Sequence, residues 1–173
     1  MDNPISRVTR PKEDARRYYN RLSRWYDLIA GGSEEKYRQT GMALLNVQPG
    51  ERVLEIGFGT GNCLVAFAQA TGPSGFVGGI ELSGGMAAIA RQRLIDSGLD
   101  QQAGLALADG AQPPFGPDCF DAIFMSFTLE LFDTPDIPRV LERCRQMLHS
   151  RGRLVVVSLV KAKDPGMAER VYE

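Results

Sequence analysis

The chain has 173 residues, 43% of them hydrophobic, and its 20 basic and 21 acidic side chains leave a formal net charge of −1. This balance excludes both general attraction to nucleic acid and disorder, and the length fits one soluble globular domain. No run of about 18 apolar residues could span a bilayer and the polar start lacks the apolar core of a secretory signal, so we expect a cytoplasmic protein.

The first predicted element is a helix over Lys12 to Ala30. Its apolar side chains recur at helical spacing, namely Tyr18, Leu22, Trp25 and Ile29. A second row on the same helix is basic and contains Arg17, Arg21 and Arg24. This pattern fits a helix docked on the domain with a solvated basic face, and it also fits a helix on a membrane surface. A second helix is predicted over Glu34 to Leu45, with an imperfect apolar stripe that contains Tyr37, Met42, Leu44 and Leu45.

A strand-like apolar run then breaks into three glycines at alternate positions, Gly57, Gly59 and Gly61. Glycine permits positive φ and the close approach of a ligand to the main chain. A helix predicted from Asn62 adds unpaired N–H groups that favour negative charge. Because Asn62 replaces the third glycine of the dinucleotide fingerprint, a nicotinamide oxidoreductase is disfavoured. Glu55, just before the glycines, suits a ligand that carries an ammonium group beside an adenosine.

Glu55-x-Gly57-x-Gly59-x-Gly61 resembles the glycine motif of the class I methyltransferases that use S-adenosylmethionine. The chain is similar to the quinone C-methyltransferase-like group. This resemblance implies S-adenosylmethionine as the cofactor and a small-molecule or lipid-like methyl acceptor, with the acceptor atom and the oligomeric state left open. In that group a segment ending in Tyr-Asp lies over the cofactor pocket. Tyr26 is therefore implied as a lid residue, a cofactor contact and a candidate catalytic residue.

A second strand is predicted over Phe76 to Leu82, and the acid Glu81 stands at its end. The interval from Gly61 to Glu81 is close to the ~20 residues expected between a glycine loop and the carboxylate that binds a ribose hydroxyl pair. We therefore expect Glu81 to bind the ribose and Leu82 to lie against the adenine. A helix over Met86 to Asp96 follows.

The third predicted strand, Leu105 to Ala108, leads into Asp109, Gly110 and Ala111. In open α/β sheets, ligands collect beyond the carboxyl ends of the strands. The resemblance implies that Asp109 accepts a hydrogen bond from the adenine amino group and that the backbone of the next two residues contacts the ring.

A fourth strand, Phe120 to Phe127, is apolar on both faces, as in a buried parallel sheet. The resemblance implies that the segment after it faces the transferable methyl group, with Ser126 in the cofactor site and Glu130 as a candidate catalytic residue, acting as a base or electrostatically. The segment lacks the Asn-Pro-Pro-Tyr or Asp-Pro-Pro-Tyr pattern, so methylation of nucleic-acid amines is disfavoured and nucleic acid is not an expected partner.

A helix over Asp136 to Leu148 and a fifth strand over Leu154 to Val160 complete an α/β, Rossmann-like doubly wound sheet of five parallel strands. We expect an N-terminal helical lid segment over residues 1–45 and an S-adenosylmethionine-binding domain over 46–173. The C-terminal antiparallel hairpin of the family is missing, which predicts a truncated chain or a partner that supplies the strands. The alternative function is a non-catalytic S-adenosylmethionine-binding or assembly subunit.

The cysteines and the single histidine predict neither a metal site nor a disulfide framework. They are widely spaced, at Cys63, Cys119, Cys144 and His149. The same scarcity argues against Ser-His-Asp or Cys-His catalysis, so we expect buried thiols and a surface histidine. Peripheral membrane contact by the N-terminal helix stays open.

Overall fold

The computed structural model describes residues 13–14, 17–18, 20 and 34–159. Its longer helices are α1 Glu34–Leu45, α2 Asn62–Thr71, α3 Gly84–Asp96 and α4 Ile137–Met147. Its strands are β1 Arg52–Ile56, β2 Phe76–Glu81, β3 Ala103–Leu107, β4 Phe120–Ser126 and β5 Leu148–Val157. The described residues before position 34 are helical, as the N-terminal pattern predicts. Tyr26, the predicted lid residue, lies outside the described residues.

The strands form one parallel sheet with the order β3-β2-β1-β4-β5 in the described part of the chain. The chain runs outward from β1 through β2 to β3, then crosses back to β4 and β5. Strand order therefore reverses between β1 and β4, where Val53 pairs with Ala122 and Ile56 with Met125. Ligands of doubly wound sheets bind outside the carboxyl ends of the strands at this reversal. The predicted Rossmann-like fold class is confirmed.

Helices cover both faces of the sheet because successive side chains of the central strand point to opposite sides. Val53 belongs to the apolar cluster that includes residues of α1, α2 and α3, such as Leu45, Phe67 and Ala90. Leu54 and Ile56 belong to the cluster on the other face, which contains Val140, Cys144 and Met147 of α4. The same alternation places Glu55 on the face of Val53, below α1 and α2.

Two sequence-based details are wrong. β5 begins at Leu148 rather than Leu154, because Leu148 already pairs with Phe120 before the register shifts to the pair of Ala122 and Arg153. The polar residues between the predicted helix and the predicted strand, from His149 to Arg151, thus lie in a bulge inside β5. Cys119 is half-buried, whereas Cys63 and Cys144 are buried as expected.

Helix α1 packs on the sheet through only part of the predicted stripe, because Leu45 lies in the core and Met42 packs against it, whereas the other two members face outward. Tyr37 and Leu44 are 63% and 70% exposed, while Gly41 and Leu45 are buried. A Cβ on Gly41 would lie only 2.4 Å from Cγ2 of Val157, so the helix axis comes close to β5. The glycine is the feature that permits this close approach.

Arg153 of β5 holds the C-terminal end of α1. Its guanidinium donates to the carbonyl oxygen of Leu45, to that of Asn46 at 2.9 Å, and to Glu51 Oε2 at 2.6 Å. Since Arg153 faces the end of α1 and Val157 faces its middle, α1 runs antiparallel to β5. The first turns of α1 therefore lie beyond the carboxyl ends of the strands.

Two expectations concern parts of the chain that the structure describes only in part. Within residues 13–14, 17–18, 20 and 34–159, no helix has both the length and the apolar character needed to cross a membrane. The predicted lack of a C-terminal hairpin concerns positions after residue 159, which lie outside the described residues.

Candidate functional site

The loop after β1 is a left-handed turn that carries three glycines. Their φ angles are 76° at Gly57, 53° at Gly59 and 84° at Gly61. The N–H of Gly57 donates to the carbonyl oxygen of Ile80 at 2.8 Å, and that of Gly61 donates to Phe58 at 2.9 Å. These bonds fix the loop between the ends of β1 and β2, as the sequence predicts for a strand that feeds a tight turn.

The three glycines differ in what surrounds them. A Cβ on Gly57 would lie 2.3 Å from Oγ1 of Thr128, and one on Gly61 would lie 2.7 Å from Cβ of Ala90. A Cβ on Gly59 would meet no heavy atom within 4 Å among the described residues. Gly57 and Gly61 therefore serve close packing, whereas Gly59 leaves the main chain open to a ligand.

Glu81, at the end of β2, binds the glycine loop directly. Its Oε2 accepts from the N–H of Gly59 at 3.0 Å, and its Oε1 accepts from Leu82 at 2.9 Å and Ser83 at 2.8 Å. Burial raises the pKa of Glu81, and these backbone hydrogen bonds oppose that rise. A carboxylate has about four acceptor positions, so roughly one more hydrogen bond can be added here. Spacing alone did not reveal this second role in holding the loop.

Two buried polar atoms between β1 and β4 have no hydrogen-bond partner among the described residues. They are Oε2 of Glu55, whose residue is 2% exposed, and Oγ of Ser126. Both side chains line a narrow pocket of about 30 Å³ beside Gly59. An unsatisfied buried polar group costs about 1–3 kcal/mol. A ligand that donates hydrogen bonds into this pocket would remove that cost, and an ammonium group has the required chemistry.

Burial raises the pKa of Glu55 well above its ordinary value. The nearby positive charge of Arg38 and a hydrogen bond with Cys63 act in the opposite direction, and Glu81 adds a small further rise. The apolar surroundings of Cys63, with Glu55 beside it, likewise raise the pKa of that thiol. Burial therefore favours the protonated, neutral form of Glu55, and a cation bound beside it would favour the charged form.

We expect Glu55→Gln to flatten the pH dependence of stability in the ligand-free protein. The unfolded chain releases the Glu55 proton near the ordinary pKa of 4.5, while the folded chain keeps it to higher pH. The unfolded state then binds fewer protons, so stability falls with rising pH by up to about 1.4 kcal/mol per pH unit between the two pKa values. The glutamine side chain of the variant does not titrate, so the variant lacks this pH-dependent contribution. The free energy of unfolding of the variant, relative to wild type, should therefore increase with pH.

Urea denaturation of both proteins at about pH 4 and about pH 8 measures this difference. Contributions from Glu81 and from the surface are present in both proteins and cancel in the comparison. The expectation is contradicted if the variant and wild type differ by the same free energy at both pH values.

A larger cavity of about 410 Å³ lies beside the ends of β2 and β3. It is lined by Arg17, Asn20, Leu82, Gly84, Leu107, Ala108 and Asp109. Leu82 and Asp109, both predicted to hold the adenine, thus face one hollow. Oδ1 of Asp109 also accepts from the N–H of Ala111 at 3.0 Å, which forms the tight turn after β3. A Cβ on Gly110 would lie 2.8 Å from Ile56, so this residue and the buried Ala111 pack into the core.

Asn20, from the N-terminal helical residues, anchors that segment at the cavity. Its Oδ1 accepts from the hydroxyl of Ser83 at 2.6 Å and from the N–H of Gly85 at 3.0 Å. Ser83 is also the N-cap of α3, where its hydroxyl accepts from the N–H of Met86. Sequence analysis missed Asn20, because neither an amide side chain nor its spacing indicates which helix end it meets.

Glu130 lines neither of these two cavities. Its Oε2 accepts from the hydroxyl of Ser158 at 3.0 Å, and its Oε1 accepts from the N–H of Leu159 at 3.3 Å. The side chain therefore joins the segment after β4 to the residues after β5. Its catalytic role stays a prediction, as does that of Tyr26.

Phe127 lines the narrow pocket and has a backbone conformation that the sequence did not indicate, and Thr128 follows it. Phe127 has a φ of 52°, an unusual value for a bulky side chain, and its N–H donates to the carbonyl oxygen of Val157 at 2.7 Å. The hydroxyl of Thr128 donates to the carbonyl oxygen of Ser126 at 3.0 Å. Such locally strained turns persist where the surrounding contacts hold them, and they concentrate at ligand sites.

The residues present fit S-adenosylmethionine by their chemistry. The narrow pocket offers a buried acid with an unpaired oxygen for an ammonium group, and Gly59 leaves open backbone beside it. The larger cavity places an apolar side chain and an acid together at the ends of β2 and β3. Glu81, at the end of β2, joins the two cavities, because it bonds Gly59 of the first and Leu82 of the second. The predicted site residues that the structure describes are thus brought to one edge of the sheet, with Glu130 set apart.

Comparison with known proteins agrees with this chemistry. Residues 53–152 match a family model described as a methyltransferase domain. The chain is 34% identical over 147 residues to the ubiquinone/menaquinone biosynthesis C-methyltransferase UbiE of Paraburkholderia xenovorans, covering 85% of this chain and 58% of the relative. It is 32% identical over 139 residues to the corresponding protein of Burkholderia multivorans, covering 80% and 56%. The chain therefore spans less than two thirds of the length of the curated relatives it matches.

Solved structures with a similar fold include the [4+2]-cyclase SpnF, with a TM-score of 0.76 and 20% identity over 95% of this chain and 65% of that chain. An S-adenosylmethionine-dependent methyltransferase of Aquifex aeolicus has a TM-score of 0.63 and 20% identity, covering 93% of this chain and 81% of that chain. At these identities the similarity shows the fold.

Proposed function

Since the chain belongs to the class I S-adenosylmethionine-dependent methyltransferases, we propose that it transfers the cofactor's methyl group to a carbon atom of a quinone-like small molecule. The observation that carries the proposal is the buried, unpaired Glu55 oxygen beside the open backbone of Gly59. The 34% identity to a quinone C-methyltransferase supports the acceptor class.

The cofactor would be held at three strand ends. Glu55 would receive the ammonium group, Glu81 a ribose hydroxyl, and Asp109 the adenine amino group, with Leu82 against the ring. Charge-assisted hydrogen bonds of this kind are roughly twice as strong as neutral ones. When bound, the cofactor supplies an electrophilic methyl group on a sulfonium that leaves readily.

The protein would accelerate the transfer mainly by positioning. Displacement at a methyl group needs the acceptor in line and in contact, and such orientation can supply about 7–11 kcal/mol of the barrier. The turn at Phe127 and the strand end at Ser126 would form the wall facing the acceptor. Leu131 and Leu159, 45% and 47% exposed beside Glu130, offer apolar surface for a lipid-like molecule. Glu130 remains our candidate proton acceptor there.

The remaining expectations are part of the same proposal. The first 45 residues would act as a helical lid segment, with Asn20 as one of its anchors on α3. Peripheral membrane contact through the basic N-terminal row would bring the protein to a lipid-soluble acceptor. A cytoplasmic location and the absence of a nucleic-acid partner fit such an acceptor.

Methyl transfer to a demethylated hydroquinone with a short prenyl chain tests the function. Mass spectrometry should detect a product that is heavier than the hydroquinone by one CH₂ unit. Its formation should require both the protein and S-adenosylmethionine. Binding of S-adenosylhomocysteine without transfer to quinone, phenol or amine acceptors would contradict the proposal and favour the non-catalytic subunit. Transfer to oxygen or nitrogen instead would retain the family and change the acceptor class.

A further inference from the structure

The narrow pocket between β1 and β4 is lined by a basic and an acidic side chain. Arg38 of α1 lines it together with Glu55, and the guanidinium is close enough to lower the pKa of that acid. The Arg38 side chain is only 13% exposed. A cation of low exposure beside a buried acid with an unpaired oxygen is the arrangement that a zwitterion would complete.

The packing of α1 explains why Arg38 reaches this pocket. Gly41 lets the helix approach Val157 and Phe124, and Arg153 fixes its C-terminal end. Arg38 precedes Gly41 by three residues, so it lies on the same side of the helix and nearer the carboxyl ends of the strands. Its long side chain therefore enters the site from the face of the sheet that also carries Glu55.

The hydrogen bonds of Arg38 leave part of its guanidinium for a ligand. Nε donates to Oε2 of Glu35 at 3.2 Å, and Nη2 contacts the same oxygen at 3.0 Å. Among the described residues, Nη1 has no hydrogen-bond partner. A pair of this i,i+3 type on a helix adds little stability by itself. The partly exposed Glu35 instead orients the fork of Arg38, because Arg presents its donors in a fixed plane.

We propose that Arg38 binds the α-carboxylate of the cofactor's amino-acid end while Glu55 receives its ammonium group, so that the pocket selects a zwitterion. This inference rests on the cofactor site proposed above. It makes Arg38 a specificity-determining residue of that site. Guanidinium and carboxylate form paired, charge-assisted hydrogen bonds, which gives the pocket a geometric preference as well as affinity.

Calorimetric binding of two compounds to the full chain tests the role of Arg38. One is S-adenosylhomocysteine, and the other is its decarboxylated analogue, which keeps the ammonium and the adenosine. Wild type should prefer S-adenosylhomocysteine. Arg38→Met should lower the affinity for S-adenosylhomocysteine by about 10- to 100-fold, as expected for the loss of a hydrogen bond to a charged group. It should change the affinity for the analogue by about threefold at most. Arg38→Lys should restore part of the preference.

Arg143→Met serves as the matched control, because Arg143 is exposed on α4 and bonds Gln146. It should leave both affinities unchanged. The proposal would be overturned if Arg38→Met lowered the affinity for both compounds equally. It would also be overturned if wild type bound the two compounds with equal affinity, and this second result does not depend on whether a variant folds. A normal preference together with no methyl transfer would contradict only the acceptor chemistry. Failure of wild type to bind either compound would overturn the cofactor site itself.

Discussion

Gly61→Ala is expected to lower the free energy of unfolding by about 2–5 kcal/mol. The alanine would have to adopt a φ of 84°, which L residues with a Cβ disfavour. Its Cβ would also lie 2.7 Å from Cβ and 3.0 Å from Cα of Ala90. The second contact is with backbone, so α2 and α3 must move apart to relieve it. Urea denaturation of the variant and wild type measures the loss.

Gly59→Ala is the natural comparison for that variant. It meets the same conformational restriction at a φ of 53°, but no atom of the described residues lies within 4 Å of the new Cβ. We expect a smaller loss of about 1–2 kcal/mol from the backbone alone. Its affinity for S-adenosylhomocysteine should nevertheless fall, because the methyl group occupies the open side of the loop.

A double variant separates the two causes at Gly61. Combining Gly61→Ala with Ala90→Gly removes the contact between the two Cβ atoms and keeps the unfavourable φ. Once the effect of Ala90→Gly alone is subtracted, the double variant should regain part of the free energy of unfolding that Gly61→Ala loses. Equal stability of Gly61→Ala and Gly59→Ala would show that the contact with α3 is not tight and would refute this account of the loop.

Glu81→Gln should reduce both stability and cofactor affinity. The carboxylate accepts from three backbone N–H groups, on Gly59, Leu82 and Ser83. An amide has one oxygen and one NH₂ group, so in either orientation at least one of these N–H groups faces another donor. We expect stability to fall by about 1–3 kcal/mol for the unpaired group. Affinity for S-adenosylhomocysteine should fall at least tenfold, by roughly 1.4 kcal/mol, because the loop shifts and a ribose acceptor is lost.

The two effects are measured separately, by urea denaturation without ligand and by calorimetry with S-adenosylhomocysteine. Asp100→Asn provides a surface acid-to-amide control, since Asp100 is exposed and its carboxylate accepts from the adjacent Gln101. It should change neither quantity. Unaltered stability of Glu81→Gln would contradict the loop-holding role, and unaltered affinity would contradict the ribose role.

Most of the sheet could be predicted from the sequence because its strands are short apolar runs bounded by glycine, proline or acids. The predicted starts of α1 and α2, at Glu34 and Asn62, agree with the structure. The start of β5 could not be predicted. His149, Ser150 and Arg151 are polar and exposed, and only the tertiary pairing of Leu148 with Phe120 brings that bulge into the strand.

Some residues of the candidate site could likewise be predicted from the sequence, and others could not. Glu55 and Glu81 could be predicted because parallel strands bring their carboxyl ends to one edge, so that spacing along the chain becomes proximity. Arg38 could not, since its position depends on how closely Gly41 lets α1 approach β5. The left-handed Phe127 also has no sequence signal, because phenylalanine seldom adopts that conformation.

The reversal of strand order also has a consequence for how the protein folds. Every neighbouring pair in the described sheet is parallel, so no local hairpin can form first. Two helices and two strands lie along the chain between Val53 and Ala122, so the central pairing of β1 with β4 closes a long loop. Topologies dominated by such distant contacts fold slowly. Refolding should therefore be limited by the closure of β4 on β1, and a chain still emerging from the ribosome would lack its central strand pair until β4 has been synthesised.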